Sequence, residues 1–444
     1  MCHMTNSIWS DQWWPIAYIR DLSKRQPNSF TLLDQDIVIW WNKINNKWCV
    51  FADICPHRLA PLSDGRISEN GFLECPYHGW KFTGEGTCQS IPHSNKKINE
   101  NHKKLSCKNF PSEVEQGLLF VWTGPPNQND ISLIPTAPYY NEESKEWEIQ
   151  DTFRDLPIDC ITLLENVIDV SHVSFTHHGT IARRTDARAM NVSIIKDDIS
   201  GFQAVWEEGP RCGYFGPEIT TFNAPHQIIH QLGKQATWLL LTIVYITPIS
   251  KGRCRLIYRM MNKPTRKKKL FSLYQPMWLQ HLRNHTVHED EHYLLYKQEY
   301  NYYKACESKN NVQAYCLPSQ SDLYVILFHR WLDSVNGGPF DNKSLPERQY
   351  GESFLDRYYS HTILCHSCST ALRRIKLISK LLLLICFILT IVIFSHEFAS
   401  IKIFYSAILL ILAIATLKLK SLEKALIVGD GKLLRKSSNR HHDT

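Results

Sequence analysis

The chain has 444 residues, 43% of them hydrophobic and 21% charged, with a net charge of +7. That length can hold two soluble domains with sequence left over, and the composition excludes a disordered or fibrous chain. The positive charge is spread along the chain and partly flanks an apolar C-terminal region, so nucleic acid is not expected; an acidic protein partner or an anionic membrane surface suits it at least as well.

Fourteen cysteines in a chain this long do not make a disulfide scaffold. Residues 1–10 are short and polar, unlike a signal peptide, so a reducing compartment is expected. No plastid-type transit sequence is read ahead of Trp13-Trp14-Pro15-Ile16-Ala17.

Residues 11–125 read as short strands and turns. The β-rich runs 31–41 and 47–52 flank the turn 42–46, and 117–122 is a further strand. Pro125-Pro126-Asn127 marks a boundary. Within this stretch lie two mixed pairs, Cys55-Pro56-His57 and Cys75-Pro76-Tyr77-His78. Two thiolates and two imidazoles are what a Rieske [2Fe–2S] centre takes, Cys on one iron and His on the other. Each pair must sit in a tight loop to reach both irons. Pro56 and Pro76 stiffen such loops and Gly79 permits the turn. A structural zinc site usually pairs Cys with Cys and His with His, which is not the pattern here. Ala60 and Tyr77 occupy the positions where respiratory-type Rieske proteins carry a disulfide. No such bridge can form, and the pattern resembles that of the Rieske oxygenases, which implies a cluster that feeds electrons to a second iron.

Residues 126–362 mix strands, such as 237–246, with helices near 163–175 and 279–300. The segment Asn166-Val-Ile-Asp169-Val-Ser-His172-Val-Ser-Phe-Thr-His177 offers two histidines five apart. They can meet one metal only if the helix ends or bends between them. Two imidazoles and a carboxylate form the facial triad of non-haem Fe(II) oxygenases. His178 competes with His177, and spacing leaves that choice open. The carboxylate must come from elsewhere. The run 281–293 is dense in ligands: His285, His288, Glu289, Asp290, Glu291 and His292.

Residues 377–394 and 403–417 are almost wholly apolar, the second a few residues short of the roughly 20 that span a bilayer. Arg373, Arg374 and Lys376 precede the first and Lys418, Lys420 and Lys424 follow the second. The positive-inside rule makes this a transmembrane hairpin with both ends on the cytoplasmic-type face. Just before it, Cys365 and Cys368 stand at a spacing that can close a disulfide. Zinc there would need a second pair of ligands.

Taken in order, these motifs resemble the Rieske non-haem iron oxygenases. Residues 73–92 and 164–179, with Asp356-Arg-Tyr-Tyr-Ser-His361, Cys365/Cys368 and the apolar hairpin, are similar to the pheophorbide a oxygenase (lethal-leaf-spot, cell death suppressor) group. The resemblance implies an α+β chain. It has a Rieske domain at 11–125, a helix-grip-like catalytic domain at 126–362, a redox segment at 363–374, two membrane segments at 375–420 and a polar tail at 421–444.

It further implies that Asp290 completes a triad with His172 and His177, and that Asn166 and Asp169 are catalytic. Asp169 would hydrogen-bond an iron-ligand histidine and bridge to a Rieske histidine of a neighbouring subunit in a homotrimer. Cys365 and Cys368 would form a thioredoxin-responsive switch. A ferredoxin-like reductant would deliver electrons, and a chlorophyll-derived tetrapyrrole would be oxygenated, by ring opening or hydroxylation. The missing leader suggests a cyanobacterial-type relative in a thylakoid or plasma membrane, soluble domains on the cytoplasmic side. A non-catalytic redox component is the reading of a different class.

Overall fold

Alternating burial along single strands shows how the N-terminal sheets are stacked. The computed structural model describes residues 7–95, 103–140, 147–233, 240–263, 275–308, 314–340, 343–347, 354–395 and 397–429. The chain divides into two compact units, one of residues 1–270 with 294–347, the other of 271–293 with 348–444.

In the first unit, β1 (Trp13–Tyr18), β10 (Ser112–Glu115) and β11 (Leu118–Trp122) form a three-stranded sheet. A four-stranded sheet runs β2 (Asn28–Leu32), β3 (Gln35–Asn42), β4 (Lys47–Ala52) and β9 (Asn109–Phe110). Side chains alternate across a strand. Thus Ile37, Ile39, Trp48 and Val50 enter one core, while Val38, Trp40, Cys49 and Phe51 enter another with Cys55, Leu73, Cys75 and Phe82. The second core supports a small sheet of β5 (Arg66–Ile67), β6 (Leu73–Glu74), β7 (Lys81–Phe82) and β8 (Cys88–Ser90). Cys75–His78 sits in its β6–β7 connection.

The run 31–41 is not one strand. Leu33 and Asp34 both adopt positive φ (53° and 61°), the two-residue turn that joins β2 to β3. That turn docks on the larger sheet, Leu33 N–H donating to the Pro248 carbonyl and Asp34 N–H to that of Ile249.

The larger sheet has seven antiparallel strands in the order β12 (Glu148–Leu156), β18 (Arg253–Asn262), β17 (Leu240–Ser250), β16 (Gln227–Leu232), β15 (Glu218–Asn223), β14 (Gly201–Trp206) and β13 (Val192–Asp198). The expected strand 237–246 is thus part of β17, its residues 237–239 lying outside those described. On β12 and β18, Asp151 stands opposite Arg259 and Asp155 opposite Arg255, each pair ion-bonded. The same arginines reach the carbonyls of Gln116 and Ile16, fastening the three-stranded sheet to the large one. Helices α1 (Cys160–Ile168) and α4 (Leu323–Ser334) share its core, Leu164, Ile168, Leu327 and Phe328 packing with Phe222 and Val244.

The helix expected at 279–300 is two helices, α2 (Met277–Glu289) and α3 (His292–Ser308), broken at Asp290–Glu291. In the second unit a short π-helical segment, Tyr358–Thr362, precedes α5 (His366–Ser395) and α6 (Ala399–Ile427), which pack together. The second apolar segment lies inside a longer helix, about 43 Å at 1.5 Å per residue. The tail expected from 421 starts within that helix, and 430–444 lie outside the described residues.

Candidate active site

The two Cys–His loops close in the same way despite their different spacing. Cys55 N–H donates to the Ala60 carbonyl and Leu59 N–H to the Cys55 carbonyl; Cys75 N–H donates to Trp80 and Gly79 N–H to Cys75. The fifth residue of each loop takes a left-handed conformation, Leu59 at φ 60° and Gly79 at φ 69°. A glycine does this freely, whereas leucine carries a steric cost that the loop must absorb. Cys55 and Cys75 are buried, while His57 is exposed and His78 half-buried. The His57 and His78 rings lie 4.6 Å apart, and His57 stacks on Trp80 at 4.6 Å and 8°. Burial pushes the Cys55 thiol up to about 11, with Cys75 beside it adding to the effect. Two buried sulfurs and two adjacent, outward imidazoles form a donor set that fits a [2Fe–2S] group.

The helix expected near 163–175 starts at Cys160 and stops at Asp169; Val170–His172 and Val173–Thr176 follow as short turns. Asp159 caps its start, accepting from Ile161 N–H at 3.1 Å. At its end, free carbonyls are taken by imidazoles: His230 Nε2 reaches Val167 O at 3.0 Å, and His172 Nδ1 meets Asp169 O. A carbonyl can only accept, so His172 carries its proton on Nδ1, the tautomer whose Nε2 can ligate a metal. The His172 and His177 rings are 5.3 Å apart. His177 is buried, whereas His178 is exposed and takes Arg184 N–H on Nδ1, which favours His177 as the ligand. The donor pair fits a non-haem iron with open positions.

It is the Asp169 carbonyl that meets His172; its carboxylate accepts from Ser171 N–H at 2.9 Å. Asn166 stands one turn earlier on α1, half-buried. His172 and His177 belong to the first unit and Asp290 to the second, where it caps α2, N–H donating to the Val287 carbonyl. Its neighbour Glu289 is engaged by Arg357 at 2.7 and 2.6 Å, a buried bidentate pair that removes it from the ligand candidates. Cys365 and Cys368 are buried, with His281 and His361 alongside.

Sequence reasoning missed the residues that hold α1. Glu165 accepts from His329 at 2.7 Å and from the Tyr315 hydroxyl at 3.0 Å. His230 also meets Thr220 at 3.1 Å, while Glu299 receives Asp159 N–H at 3.0 Å. Only Glu165, a charge on the apolar stripe of α1, carries a local signal.

A family model described as "Rieske [2Fe-2S] domain" matches residues 12–111, and one described as "Pheophorbide a oxygenase" matches 222–309. A flavonoid 8-hydroxylase 2 of Ocimum basilicum is 31% identical, covering 83% of this chain and 74% of that protein. Pheophorbide a oxygenase of Arabidopsis thaliana is also 31% identical, covering 84% and 74%. Among solved structures, dicamba monooxygenase bound to dicamba superposes with a TM-score of 0.61 at 19% identity, over 73% of this chain and 97% of that one, a likeness of fold. The protein belongs to the Rieske non-haem iron oxygenases, in the pheophorbide a oxygenase group, with a [2Fe–2S] cluster and a mononuclear iron as its cofactors.

Proposed function

We propose that this oxygenase uses dioxygen and electrons from a ferredoxin-type reductant to oxygenate a chlorophyll-derived tetrapyrrole, with ring opening favoured. The observation that carries the reading is the end of the helix at Asp169, after which His172 and His177 stand side by side in a chain that also holds the Rieske loops. A pure electron carrier has no use for that pair. When bound, the cluster and the iron supply one-electron transfer and activation of dioxygen.

Cys55, His57, Cys75 and His78 would hold the cluster, and His172, His177 and Asp290 the iron. His230, Glu165 and the Asp159 cap keep the helix end in place so that the imidazoles do not swing. Asp169, its carbonyl engaged with His172, would offer its carboxylate to a Rieske histidine of a neighbouring subunit in a trimer, with Asn166 beside it. His57 is exposed, as such a contact requires.

The apolar helices α5 and α6 would cross a membrane as a hairpin. Leu377, Leu381, Leu384, Ile388 and Ile391, at helical spacing, are each about half exposed, a surface that water does not stabilise. Arg373, Arg374, Lys376, Lys418, Lys420 and Lys424 would keep both ends on one cytoplasmic-type face, in a thylakoid or plasma membrane. An apolar substrate suits an enzyme held at a bilayer.

The equal similarity to a flavonoid 8-hydroxylase favours a second reading, hydroxylation of another apolar aromatic. Reduced full-length protein incubated with ferredoxin, its reductase, dioxygen and either pheophorbide a or a flavone separates them. Mass spectrometry should find oxygen incorporated into the tetrapyrrole alone. Turnover of the flavone with the tetrapyrrole untouched overturns the first reading.

A further inference from the structure

The Cys365/Cys368 pair does not stand by itself. His361 precedes it by four residues on the π-helical segment, and His281 reaches it from α2, more than eighty residues away in sequence. All four side chains are at most 1% exposed, and one ligand atom from each lies within 4.8 Å of the other three.

Tetrahedral zinc, with bonds of about 2.3 Å to sulfur and about 2.05 Å to nitrogen, sets ligand atoms about 3.6 Å apart for S···N and about 3.3 Å for N···N. Here Cys365 Sγ and Cys368 Sγ lie 3.6 and 3.4 Å from His281 Nδ1, and His281 Nδ1 lies 3.0 Å from His361 Nε2. The second pair of ligands that zinc demands is thus present, supplied by histidines that sequence spacing could not connect.

The backbone supports the arrangement. Cys365 N–H donates to the His361 carbonyl and Ser369 N–H to that of Cys365, so three donors ride on one short folded segment. That segment is already tied down, Arg357 N–H donating to the Ile427 carbonyl and the Thr362 hydroxyl to that of Leu426.

We propose that Cys365, Cys368, His281 and His361 form a structural zinc site in the C-terminal unit. Soft thiolates with imidazoles in tetrahedral array select zinc over the oxygen-loving divalent ions. Binding displaces the two thiol protons and leaves both sulfurs as thiolates, with no change of oxidation state. All four positions are filled by protein, so the site is closed and non-catalytic. Its work is positional. It clamps the segment leading into the apolar hairpin to α2, whose C-terminal cap is Asp290. Zinc would also hold the two sulfurs apart from each other and from oxidants, so the pair would not act as a simple dithiol switch.

The test uses the full chain, purified in detergent from zinc- and iron-supplemented cells. Elemental analysis should find about one zinc per chain beside the irons, and zinc-edge absorption should show two sulfur and two nitrogen neighbours at the distances above. Cys368→Ser and His281→Ala should bring zinc to near none while the electron-paramagnetic signal of the reduced Rieske cluster stays. His361→Cys should keep the zinc with three sulfur neighbours. The absorption spectrum of the unmodified protein decides the matter even where a variant fails to fold. Zinc-free protein, zinc without sulfur neighbours, zinc retained by Cys368→Ser, or a Cys365–Cys368 disulfide as isolated would each overturn the proposal. A disulfide that thioredoxin reduces would instead support a redox switch.

Discussion

At the scale of single residues, ligand chemistry is set by what each donor's other atoms are doing. His172 has its Nδ1 committed to the Asp169 carbonyl, which fixes the ring and its tautomer. His57 is fixed differently, by a flat stack on Trp80. His172→Ala should bring the iron content from about three atoms per chain to about two, abolish turnover, and leave the Rieske signal intact. Iron analysis with electron paramagnetic resonance checks this; retained turnover would mean that the iron sits elsewhere. The two Cys–His loops and their Rieske character were legible in the sequence because both pairs are local and their loops are short. That the His177 ring is buried and lies near His172, while His178 is exposed, was not, since burial and the turn that follows depend on the fold.

At the scale of elements, α1 matters because its end delivers the imidazoles. Its start rests on Asp159, which accepts from Ile161 N–H and from Gly252 N–H while its own N–H is received by Glu299. Burial holds the Glu299 carboxyl up to about 8, against an ordinary 4.5. The folded chain then keeps a proton that the unfolded chain has lost between pH 4.5 and about 8, so this group lowers stability as pH rises through that window. Glu299→Gln, which still offers an oxygen to Asp159 N–H, should flatten the fall in melting temperature across that range and raise it at pH 8. An unchanged pH profile would show that Glu299 is ionised in the fold.

Sequence periodicity placed this helix and the pair near 279–300 but blurred their breaks. The stop at Asp169 depends on carbonyls that accept from His230 and His172, and His230 comes from a strand more than sixty residues on.

For the whole molecule, the C-terminal unit is organised around few, buried polar joints. Arg357 holds both oxygens of Glu289, donates to the Ala425 carbonyl, and so links α2 to the end of α6. Removing one member of such a pair strands the other charge in a dry site. Glu289→Ala should therefore cost roughly 3–5 kcal/mol, seen as lost protection of α2 amides in hydrogen exchange; protection equal to that of the unmodified chain would show the pair to be dispensable.

Sequence alone determined the Rieske loops, the histidine pair, the two apolar helices and the kinship that joins them. Each is local, because the spacing of ligands or apolar residues within one loop or helix follows directly from chain geometry. Tertiary structure alone decided what is not local. It split the run 31–41 into a hairpin, lengthened α6 beyond its apolar stretch, and gave Glu289 to Arg357. It also brought His281 and His361 to Cys365 and Cys368. Those outcomes turn on burial and on partners far along the chain, where a polar atom out of water must find its complement wherever the fold places one.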